Sequence, residues 1–139
     1  MKQNETAFIA LDGSQLEWLE NSLEQYDNDH IATRTEGHLK IGITVDGELA
    51  GGVDACMTAF HILYVSTVYV DEKYRGMGLG KRLMQETERQ AKALGANLIR
   101  LDTFDWQGAA FYRALGYEQV GAYDCPEDGF AEYFFLKRI

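Results

Sequence analysis

A glycine-rich segment between an apolar run and an amphipathic pattern constrains this chain more than any other feature. The β-branched and aromatic residues of 64–70 predict a strand, and the apolar spacing of residues 79–94 predicts a helix. Three glycines alternate between them: Gly76, Gly78 and Gly80. Glycine lets the backbone approach a ligand closely, and the N-terminus of a helix carries a positive partial charge. This order of elements therefore predicts an anion site, most simply for a phosphate or pyrophosphate.

Two common phosphate-binding signatures do not match this loop. A Walker loop requires Ser or Thr after Gly-Lys, but Arg82 follows Gly80 and Lys81, and its first glycine is replaced by Arg75. The dinucleotide pattern Gly-x-Gly-x-x-Gly would need a third glycine at position 81 or 83, where the chain has Lys81 and Leu83. The anion site is therefore of another type.

The pattern that does match is Arg-x-x-Gly-x-Gly, formed by Arg75, Gly78 and Gly80. It resembles the pyrophosphate-binding loop of the GNAT superfamily of acyl-CoA-dependent N-acetyltransferases. Residues 108–117 resemble the second motif of that family, a short helix that carries Phe-Tyr and ends in Leu-Gly-aromatic. One helix and one strand fit between the two motifs, as the family requires, and the resemblance covers residues 62–123.

The resemblance implies a GNAT-like α/β (α+β) fold. Its central sheet would be mixed and mostly antiparallel, with six to seven strands, helices on both faces and two central parallel strands that splay apart. Alternation and helical spacing in the sequence predict elements that suit this fold. The predicted strands are 39–45, 48–57, 61–70, 97–103, 117–123 and 130–137, and the predicted helices are 14–27, 79–94 and 107–115.

Local signals predict how these elements begin and end. Ser14 starts a capping-box pattern for the first helix, and the apolar residues 8–11 before it predict a short edge strand. Asp46–Gly47 predicts a two-residue hairpin turn, and Gly51–Gly52 predicts a bulge in the returning strand. Gly95 is typical of the residue that follows the end of a helix.

Length and charge limit the class of protein. The chain has 139 residues, which suits one domain, 1–139, and 46% of them are hydrophobic. The formal charge of -9 argues against a nucleic-acid partner, although seven of the 13 Lys and Arg lie between residues 73 and 100. The sequence has neither an apolar run of membrane-spanning length nor a signal-peptide pattern. We therefore expect a cytoplasmic protein with no membrane partner, whose Cys56 and Cys125 are free thiols that bind no metal.

The resemblance implies acetyl-CoA as a co-substrate, bound by the loop and by the strand before it. A backbone N–H of that strand would donate to the thioester carbonyl, where negative charge develops. Many family members have an Asn where this chain has Asp105, so either Asp105 or Gln107 could make the contact of that amide. Arg113 could reach a cofactor phosphate or lie in solvent. The implied cofactor-binding residues are Val68, Tyr69, Val70, Arg75, Gly76, Met77, Gly78, Leu79, Gly80, Lys81, Asp105 and Gln107.

Tyr112 is the residue that the resemblance implies as catalytic. A phenol with a pKa of about 10 can hand a proton to a departing thiolate, and a Phe cannot. Attack by an amine also requires that the ammonium group lose a proton to a base. The sequence leaves four candidates for that base open: His61, Tyr64, Asp102 and Glu132.

Together these inferences predict an N-acetyltransferase that moves an acetyl group from acetyl-CoA to a primary amine by direct attack in a ternary complex. The acidic remainder of the chain suits a small cationic acceptor, although a negative charge also keeps a protein soluble. Two alternatives stay open, namely a protein lysine or N-terminal acetyltransferase and an acyl-CoA sensor without turnover. The aromatic residues 133–135 could pair two chains into a homodimer, and the sequence does not decide the oligomeric state.

Overall fold

The computed structural model describes residues 3–139 and divides the chain into two compact units, the first ending at Ala32 and the second running from Thr33 to Ile139. The first unit contains one helix, α1 (Gly13–Asn28), close to the predicted bounds. The predicted edge strand at residues 8–11 was wrong, since these residues form no strand. An apolar tetrapeptide becomes a strand only where a ladder partner accepts its backbone groups.

The capping box of α1 begins two residues earlier than predicted. The carboxylate of Asp12 accepts a hydrogen bond from the backbone N–H of Gln15 at 2.8 Å, and the Gln15 side chain accepts one from the backbone N–H of Asp12 at 3.0 Å. Ser14 lies inside the helix and donates its hydroxyl to Asp12. A carboxylate at the N-cap accepts a hydrogen bond from a free N–H and also interacts favourably with the helix dipole. Asp12 rather than Ser14 therefore forms the N-cap.

The second unit is built on a six-stranded sheet with the order β1-β2-β3-β4-β6-β5. Every neighbouring pair is antiparallel except β3 and β4, which are parallel. The prediction of a mixed, mostly antiparallel sheet is thus confirmed, with six strands. They are β1 (His38–Val45), β2 (Glu48–Met57), β3 (Ile62–Val70), β4 (Leu98–Phe104), β5 (Glu118–Cys125) and β6 (Phe130–Arg138).

The hairpin between β1 and β2 has the predicted turn, because Asp46 and Gly47 both have positive φ values of 51° and 82°. The bulge in β2 falls at Ala50, one residue before the predicted pair, since Ile43 pairs with Gly51 and Thr44 with Leu49. The glycine at position 51 has a different purpose. A Cβ there would lie 2.6 Å from the carbonyl oxygen of Tyr69, so only glycine lets β2 approach β3 this closely.

Two helices pack in the second unit. α2 (Leu79–Ala93) buries Leu83, Met84 and Ala91 in the same core as Ile99 and Leu101 of β4. It ends before Gly95, whose φ of 96° confirms the predicted C-terminal glycine. α3 (Ala109–Ala114) is shorter than the predicted 107–115, because the Gln107 side chain accepts a hydrogen bond from the backbone N–H of Phe104 and holds the preceding residues in a turn.

β3 and β4 pair over three residues only, from Ile62 with Leu98 to Tyr64 with Arg100. β3 then contains a bulge at Ser66, since Asp54 of β2 pairs with Thr67 and the next residue of β2 pairs with Val65. A bulge bends its strand and increases the local twist. From this point on, the two central strands have no ladder between them, as predicted for a splayed parallel pair.

Candidate active site

A groove of about 1080 Å³ opens where β3 and β4 stop pairing. Residues 65–70 of β3 form one wall and residues 101–104 of β4 form the other. Most of residues 74–81 close one end, and residues of the stretch 106–112 line the opposite side. The volume is at the upper end of the range for small-molecule sites, so the groove can take a large, extended ligand.

The glycine loop places the N-terminus of α2 at one end of the groove. Gly78 is the N-cap of α2 and has a left-handed φ of 76°, and it makes no side-chain capping hydrogen bond. The first backbone N–H groups of α2 are therefore left for a ligand, at the positive end of the helix dipole. Gly80 serves packing instead, because a Cβ there would lie 3.2 Å from the ring of Phe111.

Side chains from outside the loop hold it in place. The Tyr74 hydroxyl and the Lys73 ammonium both donate to the Glu48 carboxylate, at 2.5 and 3.3 Å. The hydrogen bond from Tyr74, followed by that from Lys73, lowers the pKa of Glu48. Arg75 donates its Nε to the carbonyl oxygen of Val70 at 3.0 Å and so ties the loop to the end of β3. These contacts brace the loop against Glu48 of β2 and Val70 of β3.

Tyr112 lies where the groove passes α3. Its side chain is buried in a ring cluster with Phe111, Tyr117 and Phe135, and this burial raises the pKa of Tyr112 to about 12. Its hydroxyl makes no hydrogen bond to any side chain or backbone group of residues 3–139. Because none of the fully buried side-chain N and O atoms in that range lacks a partner, this hydroxyl must reach accessible space, and Tyr112 lines the groove. It is a neutral donor without a protein partner.

The sequence matches the family model described as Acetyltransferase (GNAT) family over residues 6–117. This chain belongs to that family. It is an acyl-CoA-dependent acetyltransferase.

Individual relatives of this GNAT acetyltransferase agree with the family. Blasticidin-S acetyltransferase of Streptomyces morookaense is 31% identical over 94 residues, which are 67% of this chain and 68% of that protein. Thialysine N-epsilon-acetyltransferase of Bos taurus is 32% identical over 60 residues, 42% of this chain and 35% of that one. A crystal structure of an acetyltransferase from Bacillus cereus superposes with a TM-score of 0.87 at 30% identity, and covers 96% of this chain and 98% of that one. None of the helices in residues 3–139 is long and apolar enough to span a membrane.

The structure of the acetyltransferase brings most of the predicted cofactor-binding residues to the groove. Met77 and Asp105 are the two that do not line it. Gln107 does line it, and because its Oε1 accepts from the N–H of Phe104, its amide N–H₂ group is left to donate. Arg113 lies outside the lining, donates to Gln119 and stacks over the ring of Tyr133 at 5.4 Å.

Sequence reasoning missed several residues that line the groove. Thr103 is buried, and its hydroxyl oxygen accepts the backbone N–H of Gly108 at 3.1 Å, which fixes the entry to α3. Phe104 and Trp106 stack with their ring centroids 4.7 Å apart and their planes at 8°. Period-two alternation in β4 identifies Thr103 as inward-facing, but no local signal in the sequence indicates that the strand runs along a groove.

The four candidate bases lie in different surroundings. Asp102 lines the groove, and its Oδ2 accepts a hydrogen bond from the Tyr64 hydroxyl at 3.1 Å. Burial, followed by the charge of Asp102, raises the pKa of Tyr64. The ring of His61 interacts with the carbonyl oxygen of Gly95, and Glu132 accepts from Tyr123 at 2.6 Å, both outside the groove lining. The structure therefore joins two of the candidates into one pair, of which Asp102 lines the groove.

Proposed function

We propose that this protein transfers an acetyl group from acetyl-CoA to a primary amine on a small cationic molecule, by direct attack while both substrates are bound. The proposal takes residues 1–139 as one N-acetyltransferase domain, as supported by a family match and a structural relative that together extend over nearly the whole chain. The observation that carries it is the groove, which has an uncapped helix N-terminus at one end and the free hydroxyl of Tyr112 farther along.

The residues at the groove fit acetyl-CoA. Its pyrophosphate needs several converging N–H donors, and the braced loop offers those of residues 78–81. Its pantetheine arm is long, narrow and rich in amides. The unpaired stretches of β3 at 65–70 and β4 at 101–104 can accept such an arm much as they would a strand, with Gln107 as a further amide donor. When bound, acetyl-CoA supplies the activated acetyl group as a thioester.

Tyr112 then acts on the leaving sulfur as a hydrogen-bond donor. A thiol has a pKa of about 8.5, well below the value of about 12 for Tyr112. Full proton transfer from this phenol to a thiolate is therefore uphill. A neutral hydrogen bond stabilises the negative charge that develops on sulfur. The ammonium group of the acceptor first loses one proton to become the attacking amine, and the nitrogen loses a second proton as it becomes an amide. One of these two protons neutralises the thiolate, which leaves as the free thiol of CoA, and the other is released.

Release of free thiol from acetyl-CoA, measured with a panel of primary amines, tests this function. For Tyr112→Phe we expect kcat to fall about 100-fold, the lower limit for loss of one positioned hydrogen-bond donor, with little change in the Kd of CoA. Tyr117→Phe is the matched control, because Tyr117 is equally buried beside Tyr112 but does not line the groove. Equal turnover in Tyr112→Phe and the control would remove Tyr112 from the mechanism.

The class of acceptor is tested separately. Labelled acetyl-CoA incubated with a cell lysate and then separated by size should place the label in the small-molecule fraction. Label found only on proteins would instead identify a lysine or N-terminal acetyltransferase. CoA binding with no thiol release from any amine or lysate would identify an acyl-CoA sensor.

A further inference from the structure

The groove passes from one face of the sheet to the other. Leu101 and Thr103 of β4 are buried on the face that shares its core with α2, whereas Asp102 and Phe104 alternate with them and lie on the opposite face. All four residues line the groove. Since the glycine loop and the start of α2 lie at the cofactor end, a second substrate can reach the splayed strands from the face that carries Asp102.

Asp102 is the only carboxylate among the described residues that line this groove. The Tyr64 hydroxyl holds its Oδ2, and the guanidinium of Arg100 stacks over the Tyr64 ring at 4.4 Å. Its Oδ1 has no hydrogen-bond partner within residues 3–139. Glu132 on the neighbouring strand is held in the same way, through a hydrogen bond from Tyr123 to its Oε1, but it lies outside the groove lining. Asp102 is thus a groove-lining carboxylate with one oxygen held by Tyr64 and the other without a hydrogen-bond partner among the described residues.

An aromatic surface lies next to this carboxylate. Phe104 is two residues farther along β4, about 7 Å away on the same face. It stacks in parallel with Trp106, and the ring of Phe130 packs edge-on against it with centroids 5.5 Å apart. Trp106 is 67% exposed although it lines the groove, so a large π-face is left uncovered in the groove that Asp102 also lines.

We propose that this surface is the acceptor subsite, in which Asp102 binds the ammonium group and the Phe104–Trp106 stack binds a flat, conjugated group of the same molecule. This inference rests on the proposed function and narrows the acceptor to primary amines that carry such a group. Tyr64 is a positioning residue, because it orients the carboxylate of Asp102 and does not itself contact the acceptor.

Two probe amines distinguish the contribution of the flat group to acceptor binding from that of the charge. 2-Phenylethylamine and 2-cyclohexylethylamine have the same charge and nearly the same length, but only the first has a π-face. With saturating acetyl-CoA, wild type should prefer the phenyl compound by about tenfold in kcat/KM, which is the size of one stacking interaction. Trp106→Leu should remove this preference and leave the cyclohexyl compound within about twofold of wild type.

Asp102→Asn should raise the KM of both amines about tenfold, because a charged hydrogen bond is lost, and leave the KM of acetyl-CoA unchanged. Tyr64→Phe should raise the amine KM about threefold with kcat preserved, a split that general misfolding would not produce. Glu118→Gln is the control, since it removes one exposed charge of β5 outside the groove. If the amine KM of Asp102→Asn matches that of Glu118→Gln, the subsite is wrong.

Calorimetric titration of 2-phenylethylamine into the CoA-saturated protein separates this inference from the proposed function. Binding that depends on Asp102 and Trp106 supports the subsite even if no acetyl group is transferred, and in that case the proposed function fails. Transfer to other amines with no effect of either substitution would keep the function and overturn the subsite. Absence of 2-phenylethylamine binding to wild type would also overturn it.

Discussion

The two ends of the groove differ in the parts of the chain that form them. At the loop end, the backbone N–H groups at the start of α2 have no side-chain cap, and their positions depend on Gly78 at a positive φ. At the other end, side chains from separate strands converge, with Asp102 of β4 held by Tyr64 of β3. A site built from backbone is sensitive to conformation, whereas a site built from side chains is sensitive to charge and protonation. Conformational and titration experiments should therefore affect the two ends differently.

Gly78→Val would break the loop end with the largest effect. Valine at a φ of 76° costs roughly 2 to 3 kcal/mol of backbone strain, so we expect the Kd of CoA to rise about 30- to 150-fold. Calorimetric titration of CoA measures this. The matched control is Gly129→Val, in the turn between β5 and β6, because Gly129 has a φ of 73° and equally open surroundings. Similar CoA affinity in both variants would show that the loop does not bind through its backbone.

Alkaline pH tests a side chain that lines the groove, because ionisation of Tyr112 should lower the stability of the folded protein. Burial raises the pKa of Tyr112 from 10.0 to about 12, so the folded state holds this proton more tightly than the unfolded state does. The resulting stability is complete below pH 10 and is lost as the pH rises through about 12. At pH 11 the loss attributable to Tyr112 is about 1.4 kcal/mol.

Urea unfolding at pH 8 and pH 11 measures this effect. Tyr112→Phe should lose less stability over that interval than wild type, because it has no phenol to ionise at this position. Tyr117→Phe should also lose less, since burial and the nearby Glu88 raise the pKa of Tyr117. An equal loss in wild type and Tyr112→Phe would mean that the Tyr112 phenol has an ordinary pKa in the folded protein.

Glu48→Gln should cause the smallest change of these variants, and it should alter CoA binding at the loop end without altering acceptor binding. The substitution weakens the contacts with Tyr74 and Lys73, and both are exposed interactions of small energetic value. We expect the Kd of CoA to rise about twofold in low salt and the amine KM to stay constant. A larger change in the amine KM than in the Kd of CoA would contradict the assignment of Glu48 to the loop end.

The loop end could be predicted closely from the sequence. Gly76, Gly78 and Gly80 stand between a β-branched run and a helical pattern, and all three line the groove in the structure. The strand and helix bounds were predicted within about two residues, apart from the edge strand at 8–11. The N-cap of α1 and the bulge of β2 lie one or two residues from their predicted positions. Several adjacent residues could form the cap or the bulge, and local sequence does not distinguish between them.

The other end could be predicted only in part. Tyr112 came from a family motif, and Asp102 and Tyr64 were two of four candidates for a base. The sequence contained no sign that these two lie 3.1 Å apart, because 38 residues separate them. Thr103, Phe104 and Trp106 were missed for a similar reason. They line the groove only because β4 stops pairing with β3, and the sequence does not show where that pairing ends.

The sequence by itself determined the family, the order of the elements and the position of the glycine loop. These follow from local rules, because glycine spacing, β-branching and helical periodicity act over fewer than about 20 residues. Only the tertiary structure decided that β3 and β4 separate after Tyr64 and Arg100, and that Tyr112, Asp102 and Trp106 border one groove. Those arrangements depend on strand register and packing between distant segments, whose free energies are summed over the whole fold.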